Sequence, residues 1–73
     1  MKHRINATND RIISAIENYI NGFKASRNRE ILKDHYVDGM TFEETAEKHD
    51  MSVRQTKKIC YDLEPVIIEA LRE

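Results

Sequence analysis

Two short capping patterns near the middle of the chain constrain its fold more than any other feature. The segment TFEE, residues 41–44, has a hydroxyl three residues before a carboxylate, which is the form of a helix-capping box. The segment SVRQ, residues 52–55, repeats that form with a glutamine. This spacing leaves room for one short helix and a tight turn before a second helix. It predicts a helix-turn-helix over residues 41–63, with Ala46 allowing a close helix crossing and Met51 filling the angle.

Length and composition limit the alternatives. The chain has 73 residues, which predicts a single domain over 1–73. The single cysteine excludes an internal disulfide, and the three histidines fall at no metal-ligand spacing, so no cofactor or metal is expected. No apolar run approaches the ~20 residues that span a bilayer, and no signal-peptide pattern opens the chain, so we expect a cytoplasmic protein with no membrane contact. The sequence shows no nucleophile beside a base and no glycine-rich phosphate loop, so we do not expect an enzyme.

Charge is distributed in blocks, although the net charge is only −1. Residues 24–33 carry +3 and residues 34–50 carry −5. Residues 51–61 return to +3 without a single acid, and residues 62–73 carry −3. A local basic face is the electrostatic footprint of a nucleic-acid-binding protein. The second helix of the helix-turn-helix is therefore the expected recognition helix, and the acidic blocks leave open a protein-binding role.

Apolar residues that recur every three or four positions predict the remaining helices. Helix one is expected from about Asn9 to Asn21, capped by Thr8 or Asn9 and ended by Gly22 in the left-handed conformation. Phe23 is expected to fold back onto the core. The residues before helix one are expected to form a frayed terminus, residues 1–7, which carries Lys2 and Arg4.

Helix two is expected from Ser26 or Arg27 to Val37, helix three over 42–48 and helix four after residue 52. The predicted inner face of these helices and of helix one is made of Ile12, Ile13, Ile16, Tyr19, Ile20, Ile31, Leu32, His35, Tyr36, Phe42, Thr45, Ala46, Val53, Thr56, Ile59, Cys60 and Leu63.

Pro65 decides how the chain ends. A proline inside a helix costs about 3 kcal/mol, whereas at the first turn of a new helix it costs nothing. We therefore expect a break or sharp kink at residues 62–64 and a last helix over 65–71, with one continuous bent helix as the alternative. The expected fold is all-α, a small bundle of four to five helices that contains the helix-turn-helix.

The segment HYVDGMTFEETA, residues 35–46, resembles the start of the promoter-reading domain, region 4, of bacterial sigma-70-type factors. That family has an aromatic pair, Glu-Gly-Leu, a Ser or Thr cap, an aromatic residue and Glu-Glu-Ile-Ala. The resemblance extends over about residues 29–63 and includes the small sigma-like regulators of phages and mobile elements in Gram-positive bacteria. It implies promoter DNA and RNA polymerase as partners. The regions that grip polymerase in sigma factors have no counterpart here, so a complete sigma factor is not expected.

Three residues depart from the family pattern. Asp50 stands where the turn usually has glycine, although Asp tolerates the left-handed conformation better than most residues. Thr45 and Thr56 stand where the family has Ile or Val, and their hydroxyls are expected to bond back to helix carbonyls. None of these changes removes the basic face.

Position along helix four assigns roles to its polar residues. Arg54 and Gln55 lie in the first turn and Lys58 one turn further, where they would meet base edges in the major groove. The expected phosphate contacts are Thr41 with the first amides of helix three, Ser52, Lys57 and Tyr61. The alternative for Arg54, Lys57 and Lys58 is a solvated helix face, and the alternative for Tyr61 is half-buried packing. Flanking contacts to the DNA backbone are open to Lys24, Arg27 and Arg29, although a solvated helix start explains these cations as well.

The expected function is sequence-specific binding of double-stranded DNA by a non-enzymatic transcriptional regulator of phage or mobile-element type. A homodimer would supply the second half-site that a small module needs, through helix one or the segment 65–73. The alternative is a protein-binding module, such as a phage-encoded modulator of RNA polymerase or of a host defence complex.

Overall fold

A computed structural model describes residues 5–72 and contains four helices within that range. They are α1 (Asn9–Tyr19), α2 (Ala25–Tyr36), α3 (Phe42–Lys48) and α4 (Val53–Leu71). The described residues form no strand, so the expected all-α bundle is confirmed. None of these helices combines the length and apolar character that crossing a bilayer requires.

The start of the described chain is packed. Ile5 is 5% exposed and belongs to the core, and Ala7 packs against it. The prediction of a frayed terminus is therefore wrong for residues 5–7, because Ile5 has apolar surface to bury and finds the core within reach. The part of that prediction that concerns residues 1–4, with Lys2 and Arg4, lies outside the described residues.

Helix α1 begins as predicted and ends early. The Thr8 hydroxyl accepts a hydrogen bond from the Arg11 amide at 3.4 Å, so Thr8 is the cap. Instead of reaching Asn21, the helix stops at Tyr19, and Ile20 adopts an extended conformation while remaining 2% exposed. The Ile20 carbonyl, which has left the helical ladder, accepts from the guanidinium of Arg29 at 2.8 Å. This contact with α2 replaces the glycine cap that the sequence suggested.

The loop between α1 and α2 contains the largest error of the sequence-based prediction. Phe23 does not fold back onto the core and is 87% exposed, and Tyr19 is 46% exposed. Gly22 has a φ of 95°, as expected for a left-handed residue, but it lies within the loop. Lys24 also has a positive φ, 58°, immediately before α2. Gly22 and Lys24, both left-handed, flank Phe23, and a single turn in which the Ala25 amide donates to the Gly22 carbonyl at 3.1 Å leaves its ring outside the bundle.

Helix α3, the turn and the start of α4 have the predicted boundaries. The capping box of α3 is complete, because the Thr41 hydroxyl accepts from the Glu44 amide at 3.0 Å and the Glu44 carboxylate accepts from the Thr41 amide at 2.9 Å. Helix α3 ends in a Schellman motif, with the Met51 amide donating to the Ala46 carbonyl at 3.0 Å. Asp50 occupies its left-handed position with a φ of 56°. The departure from glycine at this position is thus accommodated by an aspartate in the left-handed region.

Helix α4 runs without interruption through Pro65, and the predicted break at 62–64 is wrong. Pro65 is exposed, so its ring projects to solvent, and the Tyr61 carbonyl that loses a donor lies on the same open side of the helix. The inner stripe continues past the proline from Cys60 to Ile67, both of which are fully buried. Burial of that continuous stripe against α1 outweighs the missing hydrogen bond.

The core combines apolar side chains with several polar ones. Most of the predicted inner-face residues are buried or pack against the core, whereas Tyr19 is exposed and Ile13 is only partly buried and is not part of the core cluster. Thr45 and Thr56 are fully buried, and their hydroxyls donate to the carbonyls of Thr41 at 2.9 Å and Ser52 at 3.0 Å, as the sequence predicted. Two carboxylates on the inner stripes, Asp34 and Glu64, are also buried, at 3% and 5% exposure.

Candidate nucleic-acid interface

The basic residues of α4 lie on one exposed face of its first half. At 100° per residue, Arg54 and Lys58 project close to the direction opposite the buried Thr56 and Cys60. All of the predicted contact residues on this helix are exposed: Arg54, Gln55, Lys57, Lys58 and Tyr61. The first turn of α4 contains no acid, so the positive end of its dipole is not neutralised by a side chain of that turn. The arrangement presents a cationic ridge that ends at Asp62.

Asp62 is the acid nearest this ridge along the helix. Its carboxylate accepts from the Lys58 ammonium at 2.9 Å, one turn earlier. Both side chains are highly exposed, at 75% for Lys58 and 60% for Asp62. A pair this exposed contributes about 0.3–0.5 kcal/mol, so Lys58 can exchange Asp62 for a phosphate or a base at little cost.

Lys57 and Tyr61 occupy the edge of the face that meets α3. The Lys57 ammonium lies 5.8 Å from the centroid of the Phe42 ring. The Tyr61 ring meets Phe42 edge to face at a centroid distance of 5.7 Å and is 56% exposed. His35 stacks on Phe42 from within, with centroids 4.2 Å apart. The position of Tyr61 is therefore compatible with both predictions, a phosphate contact and half-buried packing.

Of the two helix starts that were predicted to meet phosphates, the start of α3 is unsuitable. Thr41 uses both its amide and its hydroxyl oxygen within the capping box. The carboxylate of Glu44 occupies the positive end of the dipole, and Glu43 adds a second negative charge in the same turn. The phosphate contact predicted for Thr41 is thus opposed by two carboxylates, because like charges repel.

The start of α4, in contrast, remains able to contact a phosphate. The Ser52 hydroxyl oxygen accepts from the Gln55 amide at 3.0 Å, and its hydroxyl proton remains able to donate. Ser52 is exposed and immediately precedes the basic ridge.

The flanking cations have mostly structural contacts. Arg29 donates to the Ile20 carbonyl at 2.8 Å and to the Asn21 side chain at 3.1 Å, so it clamps the end of α1. Arg27 is half-buried and donates to the Asn28 side chain. Lys24 is exposed, with its ammonium 5.5 Å from the centroid of the Phe23 ring.

Two buried carboxylates were missed by the sequence analysis. Asp34 accepts from the Lys48 ammonium at 3.0 Å and from the His49 ring at 2.7 Å, and it raises the pKa of Lys48 through that hydrogen bond and its charge. Glu64 accepts from the Tyr36 hydroxyl at 2.5 Å. Burial, followed by the bond to Glu64, raises the pKa of the Tyr36 phenol well above its usual range.

A signal for both acids was available in the pattern. Asp34 lies three residues after Ile31, and Glu64 lies four after Cys60, so each falls on an otherwise apolar stripe. An acid at such a position is rarely buried without a partner.

Within residues 5–72, no cluster of three His, Cys, Asp or Glu side chains could hold a metal ion. Comparisons of the chain with protein-family models, with curated proteins and with solved structures found no match.

Proposed function

We propose that the protein binds specific double-stranded DNA by inserting the first half of α4 into the major groove. The observation that carries the proposal is the acid-free, exposed ridge of Arg54, Gln55 and Lys58 on the second helix of a helix-turn-helix. Arg pairs with guanine O6 and N7, and Gln pairs with adenine N6 and N7, so this ridge can read a short purine-containing sequence. Ser52 and Lys57 would meet the adjacent phosphates.

The proposed biological role is transcriptional regulation of phage or mobile-element type, as the resemblance to sigma region 4 implies. The net charge of −1 limits the long-range attraction to DNA, so specificity depends on this local ridge. A second copy bound to an adjacent half-site would add affinity that one small module lacks. An intracellular, cytoplasmic location is part of the same proposal.

Selection of duplexes from a random pool, followed by binding assays at fixed salt, tests this function. Arg54→Ala should weaken binding of the selected site by about 1–3 kcal/mol and relax the preference at one base pair. Lys57→Ala should weaken binding evenly across sequences. It should also reduce the slope of log affinity against log salt concentration by about one.

Arg72→Ala provides a matched control, because Arg72 is an exposed cation that caps the far end of the same helix. It should leave site preference unchanged. If Arg54→Ala, Lys58→Ala and Arg72→Ala all bind the selected site as the wild type does, the ridge is not the DNA-binding surface.

A protein-binding module is the second candidate, and the exposure of Phe23 favours it. An aromatic ring that is 87% exposed beside a strained lysine is an unusual surface feature, and aromatic residues are enriched at the centres of protein interfaces. The His35–Phe42 stack lies eleven residues along α2 from Lys24, which corresponds to roughly 16 Å at 1.5 Å per residue. The loop is therefore distant, along α2, from the helix-turn-helix.

A pull-down from nuclease-treated host lysate separates the two candidates. A partner retained in stoichiometric amount by the wild type and lost with Phe23→Ser, without any duplex preference at low salt, would favour the module. If the Phe23→Ser variant retains the partner as well as the wild type does, Phe23 is not part of the binding surface, and the second candidate loses its support.

A further inference from the structure

One buried carboxylate connects the α1–α2 half of the bundle to the helix-turn-helix. Asp34 lies on α2, and its side chain is 4% exposed. One carboxylate oxygen accepts from the Lys48 ammonium at 3.0 Å and the other accepts from His49 Nε2 at 2.7 Å. Lys48 is the last residue of α3 and His49 is its cap. Both oxygens of Asp34 thus hold the same point, the end of α3 where the turn begins.

This point is well placed to set the direction of α4. The left-handed residue Asp50 follows His49 directly, and α4 begins at Val53. A small rotation at the end of α3 is therefore transmitted through a tight turn to Arg54 and the rest of the ridge. A buried carboxylate with both oxygens engaged restricts the positions of the groups that donate to it, because a lost bond leaves a buried acceptor unsatisfied.

We propose that Asp34 is a positioning residue that fixes the turn of the helix-turn-helix on α2 and thereby aims the Arg54–Lys58 ridge at DNA bases. The inference rests on the proposed function for its DNA readout. Asp34 contacts no DNA itself, and acts through Lys48 and His49.

Asp34→Asn tests the proposal with little change of shape. One carboxylate oxygen becomes an amide that donates, so it opposes the Lys48 ammonium or the His49 N–H. Loss of alignment of a single base contact weakens binding of the selected duplex roughly 5- to 150-fold. Binding of unrelated duplex at the same salt should not weaken, because the cations of the ridge remain. The ratio of specific to non-specific affinity should therefore fall.

Glu17→Gln is the matched control. Glu17 also pairs with a lysine, Lys33, at 2.8 Å, and the substitution makes the same change in net charge. That pair joins α1 to α2 and does not involve the turn, so the specificity ratio should stay at the wild-type value. His49→Gln keeps an N–H donor for Asp34 and should preserve the ratio, whereas His49→Ala should lower it.

Amide hydrogen exchange gives a readout that needs no DNA. The Asp50 and Met51 amides donate to the carbonyls of Glu47 at 3.2 Å and Ala46 at 3.0 Å within the turn. Their exchange should accelerate in Asp34→Asn and remain unchanged in Glu17→Gln. Urea titrations identify conditions in which each variant is fully folded, and His49→Ala replaces Asp34→Asn if the latter does not fold.

The outcomes distinguish failure of this inference from failure of the proposed function. If the wild type prefers no duplex, the proposed function is refuted. The exchange rates of the Asp50 and Met51 amides in Asp34→Asn then decide whether Asp34 fixes the turn. A wild type with clear preference and an Asp34→Asn variant with the same specificity ratio would overturn the positioning role.

Discussion

Replacing Pro65 by alanine should stabilise the protein, because α4 continues through this position. Proline in a helix interior costs about 3 kcal/mol relative to alanine, through a lost hydrogen bond and a clash with the preceding turn. Here the position is exposed and Tyr61 is 56% exposed, so water can reach the carbonyl that lacks its donor and recover part of that cost. The expected net gain for Pro65→Ala is about 1–2 kcal/mol.

Urea unfolding measures this gain as a higher midpoint concentration, with an unchanged dependence of the free energy of unfolding on urea concentration. In a domain of this size, each kcal/mol should also raise the melting temperature by about 4–8 °C. Pro65→Gly is the control, because glycine restores the amide donor but is about 1 kcal/mol less favourable than alanine in a helix. Its gain should therefore be smaller than that of alanine. If Pro65→Ala were neutral or destabilising, Pro65 would lie at the first turn of a separate helix, where it disrupts no ladder.

Four further perturbations test the contacts described above. Tyr36→Phe should lower the free energy of unfolding by about 1.5–3 kcal/mol in urea titrations, because the buried Glu64 carboxylate loses a charge-assisted donor; an effect below 0.5 kcal/mol would contradict that bond. Asp50→Ala should destabilise by about 1 kcal/mol while Asp50→Gly should not, since alanine tolerates the left-handed conformation poorly. Thr41→Ala should cost about 1 kcal/mol in the same titrations through loss of the α3 cap, and an unchanged midpoint would argue against it. Burial raises the pKa of the Cys60 thiol to about 12, so a thiol reagent at pH 8 should react only after urea is added.

The same thiol gives stability a predictable dependence on pH. The unfolded Cys60 thiol titrates near its ordinary pKa of about 8.5, below the folded value. As the pH rises above about 8.5, the unfolded state therefore loses this proton while the folded state keeps it. The free energy of unfolding should consequently fall. A Cys60→Ala variant would lack this component, so comparing the two urea midpoints between pH 7.5 and 10 isolates it.

Local sequence determined the helix-turn-helix in detail. Residues within four positions of one another determine the bounds of α3, the turn and the start of α4. The same short-range pattern determines that Arg54, Lys57 and Lys58 are exposed. Capping and helical periodicity act over that range, so they can be read without knowing the fold.

Tertiary structure decided the features that depend on distant partners. Helix α1 ends early because Arg29 takes the Ile20 carbonyl, and α4 survives Pro65 because a continuous stripe packs on α1. Asp34 is buried because Lys48 and His49 reach it from fourteen and fifteen residues away. Phe23 is exposed for a related reason: a hydrophobic residue becomes core only if the path of the loop brings it there, and Gly22 and Lys24 turn that path outward. Hydropathy records what a side chain would gain from burial, whereas the packing of the helices decides which side chains are buried.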